Sequence, residues 1–255
     1  MRVYLCQLDI QWENKKENFR KIEDLLTSAS VNENSLFVLP ELCSTGFSMN
    51  AKEVAEEKNG ITFKFLSELA KRRNIWIAAG LGGYDSQGMG LNQATVIGPD
   101  GIERGRYTKN YPFSLSNEGQ FYRQSSDVLV VDCCDFKLAP IICYDLRFPE
   151  LFRAAQNKGA ELFVVIANWP IKRVDHWVTL LQARAIENQA WVVGVNRAGK
   201  DPNHTYPGRS LVVDPQGVIR SQMNEAQGIA QCFLSREELD QWRAEFPAIK
   251  DRKNI

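Results

Sequence analysis

The chain alternates short apolar runs with amphipathic stretches, and it does so twice. VYLCQLDI (3–10), SLFVLPE (35–41) and IWIAAG (75–80) read as strands. A helical pattern fills each gap between them. Residues 15–29 gather Phe19, Ile22, Leu25 and Leu26 on one face, and residues 61–73 gather Ile61, Phe65, Leu66, Leu69 and Ala70. NQATVIGPDGIERGRYT (92–108) then reads as a hairpin around Pro99-Asp100-Gly101. In the second half, DVLVVDCC (127–134) and FKLAPIICYD (136–145) supply strands, and FPELFRAAQNKG (148–159) a helix with Pro149 in its first turn. ELFVVIANWP (161–170) is a strand, 174–190 a helix, and AWVVGVNRAG (190–199) and RSLVVDPQGVIRSQ (209–222) strands again. Ser235-Arg236-Glu237-Glu238 is a capping box that opens a helix to about Phe246. Strands separated by helices need crossover connections, so the fold class is α/β.

One echo ties the halves together. TVIGPDGIER (95–104) and LVVDPQGVIR (211–220) share Val, Pro, Gly and Arg in register, and each closes a β-α-β-α-β run. No linker-like stretch interrupts the chain. Residues 1–255 therefore read as a single domain of two similar halves, with a core over about 2–246. The polar tail KDRKNI (250–255) is expected to be loose or draped over a partner.

Charge removes several function classes. Lys and Arg total 31 and so do Asp and Glu, which leaves no basic excess to neutralise phosphates or anionic lipid. No nucleic-acid or membrane partner is expected. No run reaches the roughly 18 apolar residues of a membrane span, and the first residues turn polar without a cleavage site. The expected location is cytoplasmic, and the six cysteines at 6, 43, 133, 134, 143 and 232 read as reduced thiols. With only His176 and His204, there is no HExxH and no zinc-spaced cluster, so no metal site is expected. Any hydrolytic chemistry has to run without histidine.

Three phrases carry candidate chemistry. LPELCSTGF (39–47) places Glu41 just past a buried strand, either as a solvated loop carboxylate or where α/β sheets meet their ligands. APIICYDLRFPE (139–150) places Cys143 on a strand-to-helix turn, like the serine of a nucleophile elbow, with a helix dipole behind it to lower the thiol pKa. A small buried apolar cysteine is the alternative. Cys133 and Cys134 fall within a strand, one on each face, as packing residues. RYTKNYPFSLSNEGQFY (106–122) sets Lys109 and Glu118 in an aromatic loop, where a lysine is ordinarily solvated. GLGGYDSQG (80–88) mimics a dinucleotide loop, but Asp85 stands where the third glycine belongs and a hairpin follows. A Cys143–His176 pair of papain type is disfavoured by the helical setting of His176 between Asp175 and Trp177.

Together, and in this order, these phrases resemble the nitrilase superfamily of carbon–nitrogen hydrolases. The resemblance takes in Glu118, nine residues beyond the lysine, ANWP (167–170) and QARAIENQAWVVGVNRAG (182–199), and so covers about residues 2–250. CYDLRFPE, ANWP and ARAIENQAW are most similar to bacterial omega-amidases. Relatives continue the lysine phrase with a histidine, whereas this chain has Asn110-Tyr111-Pro112, a change expected to alter the pocket wall.

The resemblance implies a four-layer α-β-β-α sandwich with an internal pseudo-two-fold, and a homodimer or higher homo-oligomer. It calls for no metal and no organic cofactor. Cys143 is expected to form a thioester, with Glu41 moving the protons. A buried carboxylate has its pKa raised by desolvation, which suits that shuttle. Lys109 and the backbone N–H of Tyr144 are expected to hold the oxyanion. Glu118 is expected to aim Lys109 or to touch the substrate amide. Phe113, Arg147, Asn168 and Trp169 are expected to line the pocket, with an Arg147–Glu150 ion pair as the alternative for Arg147. The implied substrate is a small-molecule amide, the omega-amide of a 2-oxo dicarboxylic acid. Another amidase of the superfamily, acting on deaminated glutathione or an N-carbamoyl amine, is the alternative.

Overall fold

Alternate residues of the first strand, β1 (Arg2–Gln7), enter different cores. Tyr4 and Cys6 join Ile22 and Leu26 of helix α1 (Lys15–Ser28), and Leu66, Leu69 and Ala70 of helix α3 (Ile61–Arg73). Val3 and Leu5 face the other way, into a core shared with a second sheet. A one-residue slip would exchange the two faces, so burial on both sides pins the register. These are findings from a computed structural model, which describes residues 1–253.

The first sheet continues with β2 (Leu36–Val38) and β3 (Trp76–Tyr84), both parallel, and then β4 (Gly90–Ile97) and β5 (Glu103–Thr108), both antiparallel. A short helix, α2 (Ala51–Val54), which the periodicity does not reveal, precedes α3. The second sheet repeats the order. β7 (Phe136–Ile142), β8 (Leu162–Ala167) and β9 (Trp191–Asn196) are parallel, and β12 (Leu211–Val213) and β13 (Ile219–Gln222) antiparallel. Helices α4 (Pro149–Asn157) and α5 (Val174–Asn188) cover its outer face through Phe152, Ala155, Trp177, Leu181 and Ala185. β10 (Ala198–Lys200) and β11 (Thr205–Pro207) form a separate two-stranded ribbon.

Each sheet gains a sixth strand, β6 (Val131–Cys133) beside β7 and β14 (Gly228–Phe233) beside β1. The last strand thus crosses back to the first sheet, an exchange between the halves that their local patterns do not announce. Val38, Ala78 and Val96 meet Leu138, Val164 and Val193 between the sheets, and the layers run α-β-β-α as expected.

The sequence echo falls on equivalent hairpins, β4–β5 and β12–β13. Each has a register shift just before the turn, and each has a glycine, Gly101 or Gly217, at positive φ. The hairpin expected in place of a dinucleotide loop is β3–β4.

Three details differ from the sequence reading. Cys133 ends β6, but Cys134 lies in the β6–β7 turn at φ +50, because the apolar run from 127 pairs only over 131–133. Helix α6 (Arg236–Glu245) starts as expected, with the Ser235 hydroxyl accepting from the Glu238 N–H at 3.1 Å. The tail after it lies on its own chain: the Ile249 N–H donates to Gln189 at 3.3 Å, and Arg252 donates to Gln156. Its last residues, Asn254 and Ile255, lie outside the described residues.

Candidate active site

Pro40 ends the ladder of β2, and the chain turns sharply at Leu42, whose φ is +46. That turn packs directly on β3 at Gly80, where a Cβ would lie 2.5 Å from the Glu41 Cα and 2.5 Å from the Leu42 nitrogen. Only glycine permits so close an approach of two backbones. Glu41 is 0% exposed as a result. Lys109 follows β5, tied by its backbone N–H to the carbonyl of Asn92 on β4 at 2.9 Å. It is 2% exposed, not solvated.

Lys109 joins two carboxylates. Its Nζ donates to Glu41 Oε1 at 3.0 Å and to Glu118 Oε2 at 2.9 Å. Asn92 Nδ2 bridges the same acids, at 2.8 Å from Glu41 Oε1 and 2.9 Å from Glu118 Oε1. The Phe113 N–H completes Glu118 at 2.6 Å. On its far side Glu41 Oε2 accepts the Asn168 backbone N–H at 2.8 Å and Asn168 Nδ2 at 3.2 Å. Burial alone would lower the Lys109 pKa, but Glu118 and then Glu41 reverse this and hold it well above the ordinary lysine value. Lys109 is therefore an ammonium at any working pH.

Cys143 begins a 3-10 turn (Cys143–Arg147) at φ +47, a conformation costly for a non-glycine residue. It stands off the end of β7 as the elbow reading expects. The expected thiol activation is reversed: burial pushes the thiol pKa well above its ordinary value, and Glu41 adds to the rise. Lys109 and the Asn168 N–H oppose it without winning. The helix dipole has little reach, because α4 begins only at Pro149. The resting group is the thiol, so attack on a substrate needs a proton acceptor beside it.

Behind the cysteine, Asp145 is fully buried and accepts from the Tyr107 hydroxyl at 2.7 Å and the Tyr111 N–H at 2.8 Å. It ties the lysine loop to the nucleophile turn. Burial pushes its carboxyl up to about 7, against the pull of Tyr107 and Lys109.

The pocket opens beside Cys143 and Asn168. Phe113, Arg147 and Trp169 line it, and Phe47, Tyr144, Arg173 and His204 join them. Its unfilled space is about 370 Å³, counting the open mouth. The Arg147 guanidinium sits 4.9 Å from the Trp169 ring centroid and bonds His176 Nδ1 at 3.2 Å. It does not pair with Glu150, which takes the Tyr111 hydroxyl at 2.9 Å instead. Arg173 lies over Phe113 at 5.3 Å, close enough that its charge acts on Arg147. Burial first and Arg173 second lower the Arg147 pKa, and no carboxylate is among the groups acting on it.

The altered stretch after Lys109 does not wall this pocket. Asn110 is buried against the Tyr107 hydroxyl and the Asp127 carbonyl, and the Tyr111 ring stacks on Phe148 at 3.6 Å. The change is absorbed in packing beneath the nucleophile turn.

Sequence reasoning missed Asn92, Gly80, Phe47 and Arg173. Gly80 left a trace, since a glycine within an apolar strand signals close approach. Asn92 left none, because a polar residue near a strand end is ordinary. Among the described residues no group of three or more metal-ligating side chains occurs.

The carbon–nitrogen hydrolase family profile matches residues 2–244. An omega-amidase of Yersinia enterocolitica is 36% identical over 98% of this chain and 96% of its own. A 2-oxoglutaramate amidase of Bacillus subtilis is 32% identical over 99% and 98%. Among solved structures, a CN-hydrolase superfamily protein of Xanthomonas campestris, with an arsenic adduct in its active site, superposes with a TM-score of 0.93. It is 31% identical, over 100% of this chain and 98% of that one.

Proposed function

The chain belongs to the carbon–nitrogen hydrolase family, and from that premise we propose that it cleaves the terminal amide of a short 2-oxo dicarboxylic acid omega-amide to the 2-oxo acid and ammonia. It is a hydrolase of carbon–nitrogen bonds, as its family membership and its omega-amidase relatives establish. The observation that carries the finer reading is the position of Cys143. It lines the same pocket as Arg147 and Arg173, and it is near enough to Glu41, Lys109 and Glu118 for their charges to act on it.

The steps follow from what each group can do. Glu41 takes the thiol proton of Cys143, and the sulfur attacks the amide carbon. The developing oxyanion is held by the Lys109 ammonium and the Tyr144 N–H, the first to follow the nucleophile in its turn. One preorganised donor of this kind is worth about 2.7–4 kcal/mol. The carbon–nitrogen bond breaks as Glu41 returns the proton to nitrogen, leaving a thioester and free ammonia. Water then gives a proton to Glu41 and attacks the thioester. The thiolate leaves and recovers the proton. Glu118 keeps Lys109 charged and aimed throughout.

Arg147 and Arg173 supply the specificity. Both guanidiniums are held by aromatic rings rather than by acids, which leaves their charge for a substrate carboxylate. A cationic rim also draws anionic substrates inward. We further propose that the protein is cytoplasmic and forms a homodimer or larger homo-oligomer, whose size light scattering measures directly. No helix among the described residues is long and apolar enough to cross a membrane.

The deciding experiment compares kcat/KM for 2-oxoglutaramate, glutamine, deaminated glutathione and N-carbamoylputrescine by ammonia release. The first should lead. A tenfold preference for either of the last two, about 1.4 kcal/mol, would replace the substrate while leaving the chemistry in place.

A further inference from the structure

Asn168 stands between the base and the nucleophile. Its backbone N–H donates to Glu41 Oε2 at 2.8 Å and also acts on the Cys143 sulfur. Its side-chain Nδ2 donates to the Glu41 carbonyl at 2.8 Å and to Oε2 at 3.2 Å. Both acceptors are oxygens, so the amide cannot be turned over without setting oxygen against oxygen. Its own Oδ1 is thereby fixed, and that atom is buried without any hydrogen-bond partner among the described residues. The residue is 4% exposed, and it lines the pocket beside Cys143.

A buried carbonyl oxygen without a donor is rare in folded proteins and points to a partner that arrives from outside. We infer that Asn168 Oδ1 accepts an N–H of the scissile carboxamide and so selects primary amides over esters. This rests on the reading that Cys143 attacks an amide carbon. With that carbon against the sulfur and its oxygen toward Lys109, the nitrogen falls on the Glu41–Asn168 side. A primary amide has two N–H bonds to place there, one toward Glu41 and one toward Asn168. An ester oxygen has none. Once ammonia has left, the hydrolytic water can donate to the same Oδ1, so Asn168 serves acylation by recognition and deacylation by holding water. Asn92 also has an unpartnered buried Oδ1, but it does not line the pocket.

The test compares kcat/KM for a primary amide and for the methyl ester of the same acyl group. Ester turnover also uses Cys143, Glu41 and Lys109, so the amide-to-ester ratio removes the losses the two substrates share. Asn168→Asp, which disturbs Glu41 but keeps the acceptor, separates the N–H contact from the placement of Glu41. In Asn168→Ala the ratio should fall tenfold or more. In Asn168→Asp, which keeps an acceptor oxygen but loses the donors to Glu41, both rates should fall while the ratio stays within about threefold of the wild type. Ester turnover reports that each variant is folded, and the Asp variant stands in if the Ala variant does not fold. Parallel loss of amide and ester in Asn168→Ala, or a collapsed ratio in Asn168→Asp, would overturn the assignment. If the wild-type enzyme ignores 2-oxoglutaramate, the substrate reading fails, and the ratio is measured on whichever amide it does cleave.

Discussion

The first sheet brings charge to the site: Glu41 from beyond β2, Lys109 from beyond β5, and Asn92 from within β4 to hold Glu41 and Glu118 together. The second brings the nucleophile from beyond β7 and, from beyond β8, the neutral amide of Asn168 and the aromatic wall of Trp169. β2 and β8 occupy equivalent places in the repeated order, so Glu41 and Asn168 leave equivalent strands and bond each other. At the opposite ends of the sheets the hairpins at 98–101 and 214–217 still look alike. Turn chemistry there asks the same of both halves. At the carboxyl ends of the strands the two halves differ, and the proposed mechanism needs that difference: a carboxylate and a cation on one side, a thiol on the other.

Removing the cation should separate the two contributions most sharply. Lys109→Met leaves Glu41 and Glu118 buried without their ammonium. Turnover should fall by about 10²–10³-fold or more, and stability by about 3–5 kcal/mol, read by ammonia release and by urea unfolding. Near-normal turnover would mean that another group binds the oxyanion. Glu41→Gln keeps the shape and the fold but accepts no proton. It should cost about 100-fold or more in turnover, with an unchanged circular dichroism spectrum. Loss of activity only alongside unfolding would reduce Glu41 to a structural role. Gly80→Ala touches neither charge nor sulfur, yet its Cβ would press on the Glu41 and Leu42 backbone. A drop of about tenfold is expected, smaller than the ~10² of a full 1 Å misplacement. The cysteine side, read by the alkylation rate of Cys143, should be preserved.

The smallest effect concerns the join between the sheets. Asp145 has its carboxyl raised from 3.8 to about 7 by burial, so the folded protein holds a proton there that the unfolded chain releases. That contribution favours folding below about pH 4 and is lost as pH rises through 7. Asp145→Asn should flatten the decline of unfolding free energy between those limits. An unchanged slope in urea titrations across that range would show that Asp145 does not cause it.

Glu41, Lys109 and Cys143 each sit just past a strand, but phrase by phrase each had an ordinary structural reading; they became legible only together, through the resemblance to the nitrilase superfamily. The α/β class was legible from the alternation itself, and the layer order only from the resemblance to the nitrilase superfamily. What escaped depends on long-range packing. β14 pairs with β1 across nearly the whole chain, and nothing local in GIAQCF says which sheet it will join. The proximity of Gly80 to Glu41, the bridge at Asn92 and the thiol pKa of Cys143 are set by neighbours distant in sequence. The altered Asn110-Tyr111 pair misled for the same reason, since adjacency to Lys109 along the chain does not put side chains in its pocket.

If the two sheets meet to make an acyl-transfer site at Cys143, the acyl group must pass through that sulfur. Rapid quenching of turnover with the preferred amide, followed by intact-protein and peptide mass spectrometry, reads that step. A transient mass gain equal to the substrate less ammonia is expected, confined to the Cys143 peptide and absent from Cys143→Ala, which should be inactive. Acyl mass on another of the six cysteines, or sustained ammonia release by Cys143→Ala, would contradict it.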